Sequence, residues 1–477
     1  MTQSTPTRAG HDRRWWTLAV LCTSLVLITV DTTILNVAIP TLSRSLATST
    51  GELQWIVDAY TVVFAGLLLT CGSLGDRLGR RRMLSLGLVV FGVGCVASAL
   101  AGSATTLIAM RALTGVGAAL IFPATLSIIT NVFSEPVERQ KAIAIWASTA
   151  GIGIALGPLT GGVLLEHFYW GSIFLVNVPV IVVALVGIAF AVPESRDPVR
   201  RRLDPAGAVL SIAGLGILVD GVIRGGSNGW SAPSTLGTIG LGLLLLALFV
   251  GHERRTADPM LDLDVFRNPR FAGASIAVTA VYFCLFGTIF LLTQQLQELL
   301  GYGTLAAGVR TVPFAIVLMA TANLTPRIVG RYGQRLPIVM GLLVVAGSQL
   351  LRIASTADSG YGVVFASQVT FALGMGLLIA PATASIMGAV PAARAGVGSA
   401  INDTTRQVGG ALGVAVMGSV AAAGFRSELV HRVPNVASGA RDSLDTALQT
   451  ARSVGSTDAA QRVVDAARGA FIHGLRL

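Results

Sequence analysis

A chain of 477 residues that is 53% hydrophobic and 12% charged, with a mean hydropathy of +0.72, carries about half the charge of a typical soluble protein. Its net charge of +10 lies in short loops between apolar runs, a distribution that excludes nucleic acid as the partner. Cys22, Cys71, Cys95 and Cys284 all fall within those runs and show no metal spacing, so they read as small packing residues, with neither a disulfide framework nor a metal site expected.

Apolar runs long enough to span a bilayer recur along the whole chain, which predicts an all-α polytopic membrane protein. A polar tail, residues 1–14, carries Arg8, Arg13 and Arg14 and is expected in the cytoplasm. Six helices follow over 15–192: Trp15–Ile39, Glu52–Cys71, Met83–Ala101, Thr105–Phe133, Ala142–Leu165 and Trp170–Val192. Residues 193–270 hold two further helices, Ala206–Ile223 and Thr235–Gly251, between basic linkers containing Arg196, Arg200, Arg201, Arg202, Arg254, Arg255, Arg267 and Arg270. Helices 9 to 13 fill 271–423: Phe271–Glu298, Leu305–Pro326, Pro337–Ile353, Gly362–Met387 and Gly396–Ala423. Arginine and lysine concentrate in alternate loops throughout, as a membrane protein with a cytoplasmic N-terminus requires.

An internal repeat organises these helices. Pro-Ala-Thr-Leu-Ser-Ile-Ile at 123–129 recurs as Pro-Ala-Thr-Ala-Ser-Ile-Met at 381–387, an offset of 258. Arg77, Gly79 and Arg81 line up with Arg331, Gly333 and Arg335, an offset of 254, with Gly330 opposite Asp76. Helices 9 onward therefore repeat helices 1–6, and helices 7 and 8 are an insertion expected at the periphery. Residues 424–468 are polar and read as an extracytoplasmic loop. The nine residues 469–477 are too few to cross a bilayer and read as the start of a final helix, cut short by truncation or absent from a protein whose C-terminus stays outside.

The most specific local pattern is Gly72-Ser-Leu-Gly-Asp-Arg-Leu-Gly-Arg-Arg-Arg-Met-Leu84, a tight polar turn between helices 2 and 3. Gly75 and Gly79 offer the backbone freedom for such a turn, and Asp76 has Arg77 and Arg80 beside it. The pattern resembles the signature loop of the major facilitator superfamily of secondary transporters, which implies two six-helix repeats with the turn as a gating loop. Within that superfamily, Asp31-Thr-Thr-Ile-Leu-Asn36-Val-Ala-Ile-Pro40 looks like the first-helix signature of the fourteen-helix drug/proton antiporters. Arg111-Ala-Leu-Thr-Gly-Val-Gly is similar to a helix-4 motif tied there to proton transfer. Gly153-Ile-Ala-Leu-Gly157-Pro158-Leu-Thr-Gly161-Gly162 is similar to the antiporter signature of helix 5. Trp170-Gly-Ser-Ile-Phe-Leu-Val-Asn-Val-Pro179 resembles the start of helix 6, except that a second basic residue is more usual where Gly171 stands.

Depth gives an independent reading of the charged residues. Asp31 lies about 13 Å, and Arg111 and Asp58 about 9 Å, from the outer ends of their predicted helices. Charges at such depths are costly and are usually paired or functional. Asp31, Arg111 and Asp58 are therefore candidates for proton coupling, an ion pair locking helices 1, 2 and 4 being the alternative. Asp403 and Arg406 stand one turn apart on helix 13, as an intrahelical pair or as a second coupling site. Asp31, Asn36, Asp58, Arg111 and Arg406 are expected on a substrate cavity, and Gly153, Gly157, Pro158, Gly161 and Gly162 on a moving interface between the repeats. Asp220 and Arg224 read as a solvated pair, and Gln294, Gln295 and Gln297 as interfacial caps.

No phosphate-binding loop or His-Glu-x-x-His occurs, so neither a nucleotide-driven pump nor an enzyme is expected. The resemblance implies a monomeric, proton-coupled antiporter of the bacterial inner membrane. It would export small hydrophobic or cationic drugs by alternating access, with the proton gradient in place of a cofactor. Export of a native metabolite, lipid or siderophore is the alternative.

Overall fold

A computed structural model describes residues 8–196, 204–256, 259, 261, 263–356, 359–389, 395–434, 436–454 and 458–477. The linker residues Arg200, Arg201 and Arg202 fall outside them. The described chain is helical: α1 Arg8–Leu46, α2 Thr50–Leu78, α3 Arg80–Ala99, α4 Ala104–Val132, α5 Pro136–His167 and α6 Ser172–Ala191 form the first repeat. The inserted pair is α7 Pro205–Asn228 and α8 Pro233–Glu253. The second repeat is α9 Pro269–Leu299, α10 Thr304–Tyr332, α11 Arg335–Ile353, α12 Tyr361–Gly388 and α13 Ala395–Arg432. Among the described residues twelve helices are long and apolar enough to cross a membrane. The 32-residue α5 lies along α1 in the same bundle.

Local chemistry sets the helix starts. Ser49 and Glu52 form a reciprocal capping box at α2, and the Ser103 hydroxyl accepts the Thr106 amide at α4. The repeat is visible in backbone conformation as well. Gly79 and Gly333, aligned by the sequence, both adopt positive φ, at 116° and 75°, where they join α2 to α3 and α10 to α11. A Cβ on Gly79 would also meet the Glu194 carboxylate at 2.6 Å. Gly75 has ordinary van der Waals room, so Gly79 alone answers the expectation of a glycine-dependent turn.

Within each repeat the helices bury apolar faces on one another, α2 and α3 on α4, α1 on α5, α9 on α13, and α11 on α12. The face bearing the Arg77–Arg82 turn and the start of α1 is called the basic face below. Hydrogen bonds that join the repeats lie in the half away from it. Gln54 Nε2 donates to the carbonyls of Val414 and Ala415, Gln297 Nε2 to the Val37 carbonyl at 2.9 Å, and Thr304 to the Gly162 carbonyl.

The inserted helices do different things. α8 rests on α7 and turns Leu236, Leu241, Leu243, Leu244 and Leu248 outward, as a lipid-facing helix does. α7 fills the groove between α2 and α13, where Leu215, Val219, Val222 and Ile223 pack with Val62, Ala65, Ala411 and Ala415. It thus touches both repeats along their seam.

The segment read as an extracytoplasmic loop is largely helical. α13 continues to Arg432, then come α14 Leu444–Val454 and α15 Asp458–Arg476. Their Leu444, Ala447, Ala466, Ala467, Ala470 and Phe471 pack on Leu299, Phe425 and Leu429. The polar composition hid a 3.6-residue stripe of alanine and larger apolar residues, which is what folds the segment back over the ends of α9 and α13.

Candidate functional site

Asp31 and Arg111 meet inside the first repeat. Arg111 Nη1 donates to Asp31 Oδ2 at 2.7 Å, and the two side chains are 1% and 0% exposed. Asn177 of α6 donates to the other carboxylate oxygen at 3.0 Å and lies 3.6 Å from Cys95 Sγ. Arg111 Nε reaches the Ile56 carbonyl at 3.3 Å, and the guanidinium lies over the rings of Tyr60 at 4.5 Å and Phe174 at 5.9 Å. Five helices, α1, α2, α3, α4 and α6, thus enclose one neutralised charge pair. Buried ions persist when paired and hydrogen-bonded in this way, because removing one partner strands the other.

The depth estimate for Asp31 changes. α1 runs through Pro40 to Leu46, so Asp31 lies about 22 Å from that end of the helix, counting 1.5 Å per residue. The proline is tolerated inside the helix rather than ending it. The layer shared with Arg111 is nonetheless real, since the two are bonded.

Asp58 is separate from that pair. It is fully buried, and neither carboxylate oxygen has a hydrogen-bond partner among the described residues. On α2 it shares a helical face with Gln54, Val62 and Ala65, the residues that touch α13 and α7. Asp58 therefore sits on the seam between the repeats, and Arg111 is turned toward Asp31.

The second repeat holds its own cluster. Arg406 Nη1 lies 3.7 Å from Asp403, Arg406 Nη2 donates to Thr383 at 3.1 Å, and the guanidinium stands 5.4 Å from the Tyr282 ring centre. Asn402 donates to Asp403 at 3.4 Å and accepts from Thr383. Asn36 bonds the Thr32 carbonyl one turn back in α1. Of the residues expected on a cavity wall, Asp31, Asn36, Asp58 and Arg111 are buried between helices in this conformation, and Arg406 is half-buried.

At the basic face Asp76 accepts two hydrogen bonds from Arg80, at 2.9 and 3.0 Å, and Arg80 also reaches the Ser127 carbonyl of α4. Glu194 accepts the Arg81 amide and pairs with Arg82, while Arg77 is exposed. These bonds tie the turn to its own repeat, anchoring it on α4 and on the chain after α6.

The glycines of α5 have two faces. A Cβ on Gly153, Gly157 or Gly161 would strike Thr29, Thr33 or Ile34 of α1. Gly162 instead faces Leu305 and Thr304 of the second repeat, with a Cβ 2.7 Å from the Leu305 backbone, and Gly308 packs on the Pro158 carbonyl. Pro158 and Gly162 lie on the interface between the repeats, whereas Gly153, Gly157 and Gly161 seat α5 on α1.

Sequence reasoning gave no site role to Tyr60, to Cys95, read as a packing residue, or to Phe174 and Asn177, which stand within the Trp170–Pro179 motif. Asn177 was the detectable one, an amide within an otherwise apolar run. Asp220 and Arg224 form an exposed pair at 2.6 Å.

Residues 21–414 match the model of the Major Facilitator Superfamily. The chain belongs to that superfamily. Among relatives in the superfamily, the multidrug efflux pump LfrA of Mycolicibacterium smegmatis is 38% identical, over 99% of this chain and 93% of its own. The methyl viologen resistance protein SmvA of Salmonella typhimurium is 35% identical, over 96% and 93%. The puromycin resistance protein pur8 of Streptomyces alboniger is 34% identical, over 88% and 84%. The fold is also that of a bacterial homologue of the human lysosomal transporter Spinster in an inward-facing, unoccupied conformation. That likeness has a TM-score of 0.69 at 18% identity and covers 99% of this chain and 95% of that one. This major facilitator protein is a multi-pass membrane transporter and not an enzyme.

Proposed function

We propose that this chain is a proton-coupled antiporter that exports small hydrophobic or cationic drugs from the bacterial cytoplasm by alternating access. The observation that carries the reading is the sealed Asp31–Arg111–Asn177 cluster, a titratable carboxylate held against a permanent cation inside a moving repeat. Similarity to the efflux pump LfrA and to the resistance proteins SmvA and pur8 supports drugs as the substrate class.

The basic face is read as cytoplasmic, following the arginine-rich loops. The repeats touch in the half away from it, which supports a conformation open toward the cytoplasm. In the mechanism proposed, Asp31 is held ionised by Arg111 in one state and takes up a proton when rearrangement of α1 against α4 weakens that bond. Asp58 serves as an auxiliary acid. It is enclosed when the seam of α2 and α13 closes and returned to water when the seam opens, so its charge state follows the conformation. Asp403 and Arg406 provide a second polar cluster on the moving second repeat. One charge crossing 100 mV supplies about 2.3 kcal/mol, roughly fifty-fold in concentration ratio, enough to drive export without a nucleotide or any other cofactor.

The test is dye and antibiotic accumulation in cells with and without the protein. Accumulation is expected to fall when the protein is present and to recover when a protonophore is added. Equal accumulation in both cells, or efflux indifferent to the protonophore, would contradict the proposal.

A further inference from the structure

Where the inserted pair meets its two basic linkers, three titratable side chains cluster that the transport reading does not use. Asp204 caps α7, its Oδ1 accepting the Gly207 amide at 2.9 Å. His252, in the last turn of α8, stands with Nε2 2.9 Å from both carboxylate oxygens of Asp204. Glu253, the last residue of α8, accepts the Leu261 amide on Oε2 at 2.8 Å. Its other oxygen, Oε1, is sealed from water and accepts no hydrogen bond among the described residues. The carboxyl residues Asp204 and Glu253 are 8% and 2% exposed.

The two carboxyls converge. A Cβ on Gly207 would lie 2.5 Å from Asp204 Oδ2 and 2.8 Å from Glu253 Oε1, so both oxygens border the space this glycine leaves open, and the two side chains are hydrogen-bonded to each other. Two carboxyl oxygens can share a hydrogen bond only with a proton between them. Charge balance says which group carries it. Burial pushes the Asp204 carboxyl up, but the Gly207 amide and the His252 and Glu253 donors hold it below the ordinary aspartate range, so Asp204 is the anion. Its ion pair with His252 is the one ion pair either carboxyl makes among the described residues, and Arg254 and Arg255, next in the chain, are exposed. Glu253 is left without a countercharge, and a buried carboxyl in that position is neutral. The cluster is also a joint. Leu261 packs with Val265 and Phe266 on the core of the second repeat, where Phe266 meets Phe271 of α9 edge-on at 5.0 Å. The Leu261 amide on Glu253 therefore ties the end of α8 to that repeat.

We propose that Asp204, His252 and Glu253 form a proton-binding site at the basic face, in which the Glu253 hydroxyl donates to Asp204 Oδ2 and the bound proton holds the inserted pair on the second repeat. When the O–H bond of Glu253 breaks and its proton passes to water, two carboxylates face each other, Glu253 parts from Asp204, and the Leu261 amide is released. The water at that face is cytoplasmic on the orientation read above, so the joint would respond to cytoplasmic pH; the binding of the proton itself does not rest on that reading.

The test is amide hydrogen exchange at Leu261 in the purified full chain in lipid nanodiscs, followed across pH and corrected for intrinsic rates. The closed joint holds a proton that the open joint gives up, so acid favours closure. Protection of the Leu261 amide should fall by up to about tenfold per pH unit as pH rises above about 4.3, the ordinary glutamate value. Glu253→Gln can still donate to Asp204 and accept from Leu261 but cannot titrate, so its protection should stay high and flat with pH. Infrared spectra near neutral pH should show a protonated-carboxyl C=O band in the parent that is missing from Glu253→Gln. Neither readout requires transport, so a failure of the efflux test leaves this site standing. Leu261 protection that is flat with pH in the parent, a pH dependence that survives in Glu253→Gln, or identical carboxyl bands in the two proteins overturns the proposal.

Discussion

Arg111 of the first repeat and Arg352 of the second are both buried, 1% and 9% exposed, yet their surroundings are opposite. Arg111 is met by a carboxylate, a backbone carbonyl and two aromatic faces, all from its own repeat. Arg352 has a glutamine and a threonine near it and no acid among the described residues. The first repeat therefore carries a charge pair that a proton can neutralise on one side. The second carries a guanidinium that keeps its proton, and so its positive charge, throughout the physiological range. Two copies of one architecture have been given different electrostatic tasks by a few side chains.

The largest expected effect comes from breaking the pair in the first repeat. Arg111→Met strands Asp31 and should lower stability by about 3–5 kcal/mol and abolish transport, whereas Arg352→Met, which strands no carboxylate among the described residues, should be neutral or stabilising. Thermal unfolding of both variants in nanodiscs checks the contrast, and equal destabilisation would mean that the two arginines are not differently compensated. Asn177→Leu removes one of the two donors to Asp31 while leaving Arg111. It should cost about 1.5–3 kcal/mol and displace the pH dependence of efflux without abolishing it. Gly157→Ala presses a methyl group against Thr33 and the Ile34 backbone and should cost about 1–3 kcal/mol through the α1–α5 contact, slowing turnover more than it weakens substrate binding.

The smallest effect concerns the helical segment over the ends of α9 and α13. Burial pushes the Asp445 carboxyl above its usual range, with Arg44 pulling it back. A raised carboxyl binds more protons in the folded than in the unfolded segment. Stability of α14 and α15 should therefore rise as pH falls from neutral through that raised value toward 3.8, and fall in the opposite direction. Amide exchange of 444–476, corrected for intrinsic rates, reads this directly, and protection that is flat with pH would remove Asp445 from the account.

Much of the architecture was legible because apolar runs and basic loops alternate so regularly. The thirteen predicted helices correspond to α1–α13 within a few residues at most ends. That Asp31 and Arg111 would meet was legible from their being opposite charges within predicted spans, with the depth of Asp31 misjudged because α1 runs on through Pro40 to Leu46. Which face a charge takes was not. Asp58 stands at nearly the depth of Arg111 but looks toward α13, and that depends on helix rotation, which spacing from a helix end does not encode. Asn177 was missed because it is polar without being charged. The α14–α15 segment was misjudged on composition, since alanine contributes little hydropathy yet packs closely when it repeats every third or fourth position.

The central claim is that the carboxylate paired with Arg111 couples the proton to export, and Asp31→Asn tests it most directly. The amide keeps the shape and can still accept a hydrogen bond from the guanidinium, but it cannot take up a proton. In proteoliposomes with an imposed pH gradient, the variant is expected to show no uphill, protonophore-sensitive efflux while still exchanging substrate down its gradient. Uphill pumping by Asp31→Asn that a protonophore still collapses would contradict the claim and move the coupling role to Asp58 or Asp403.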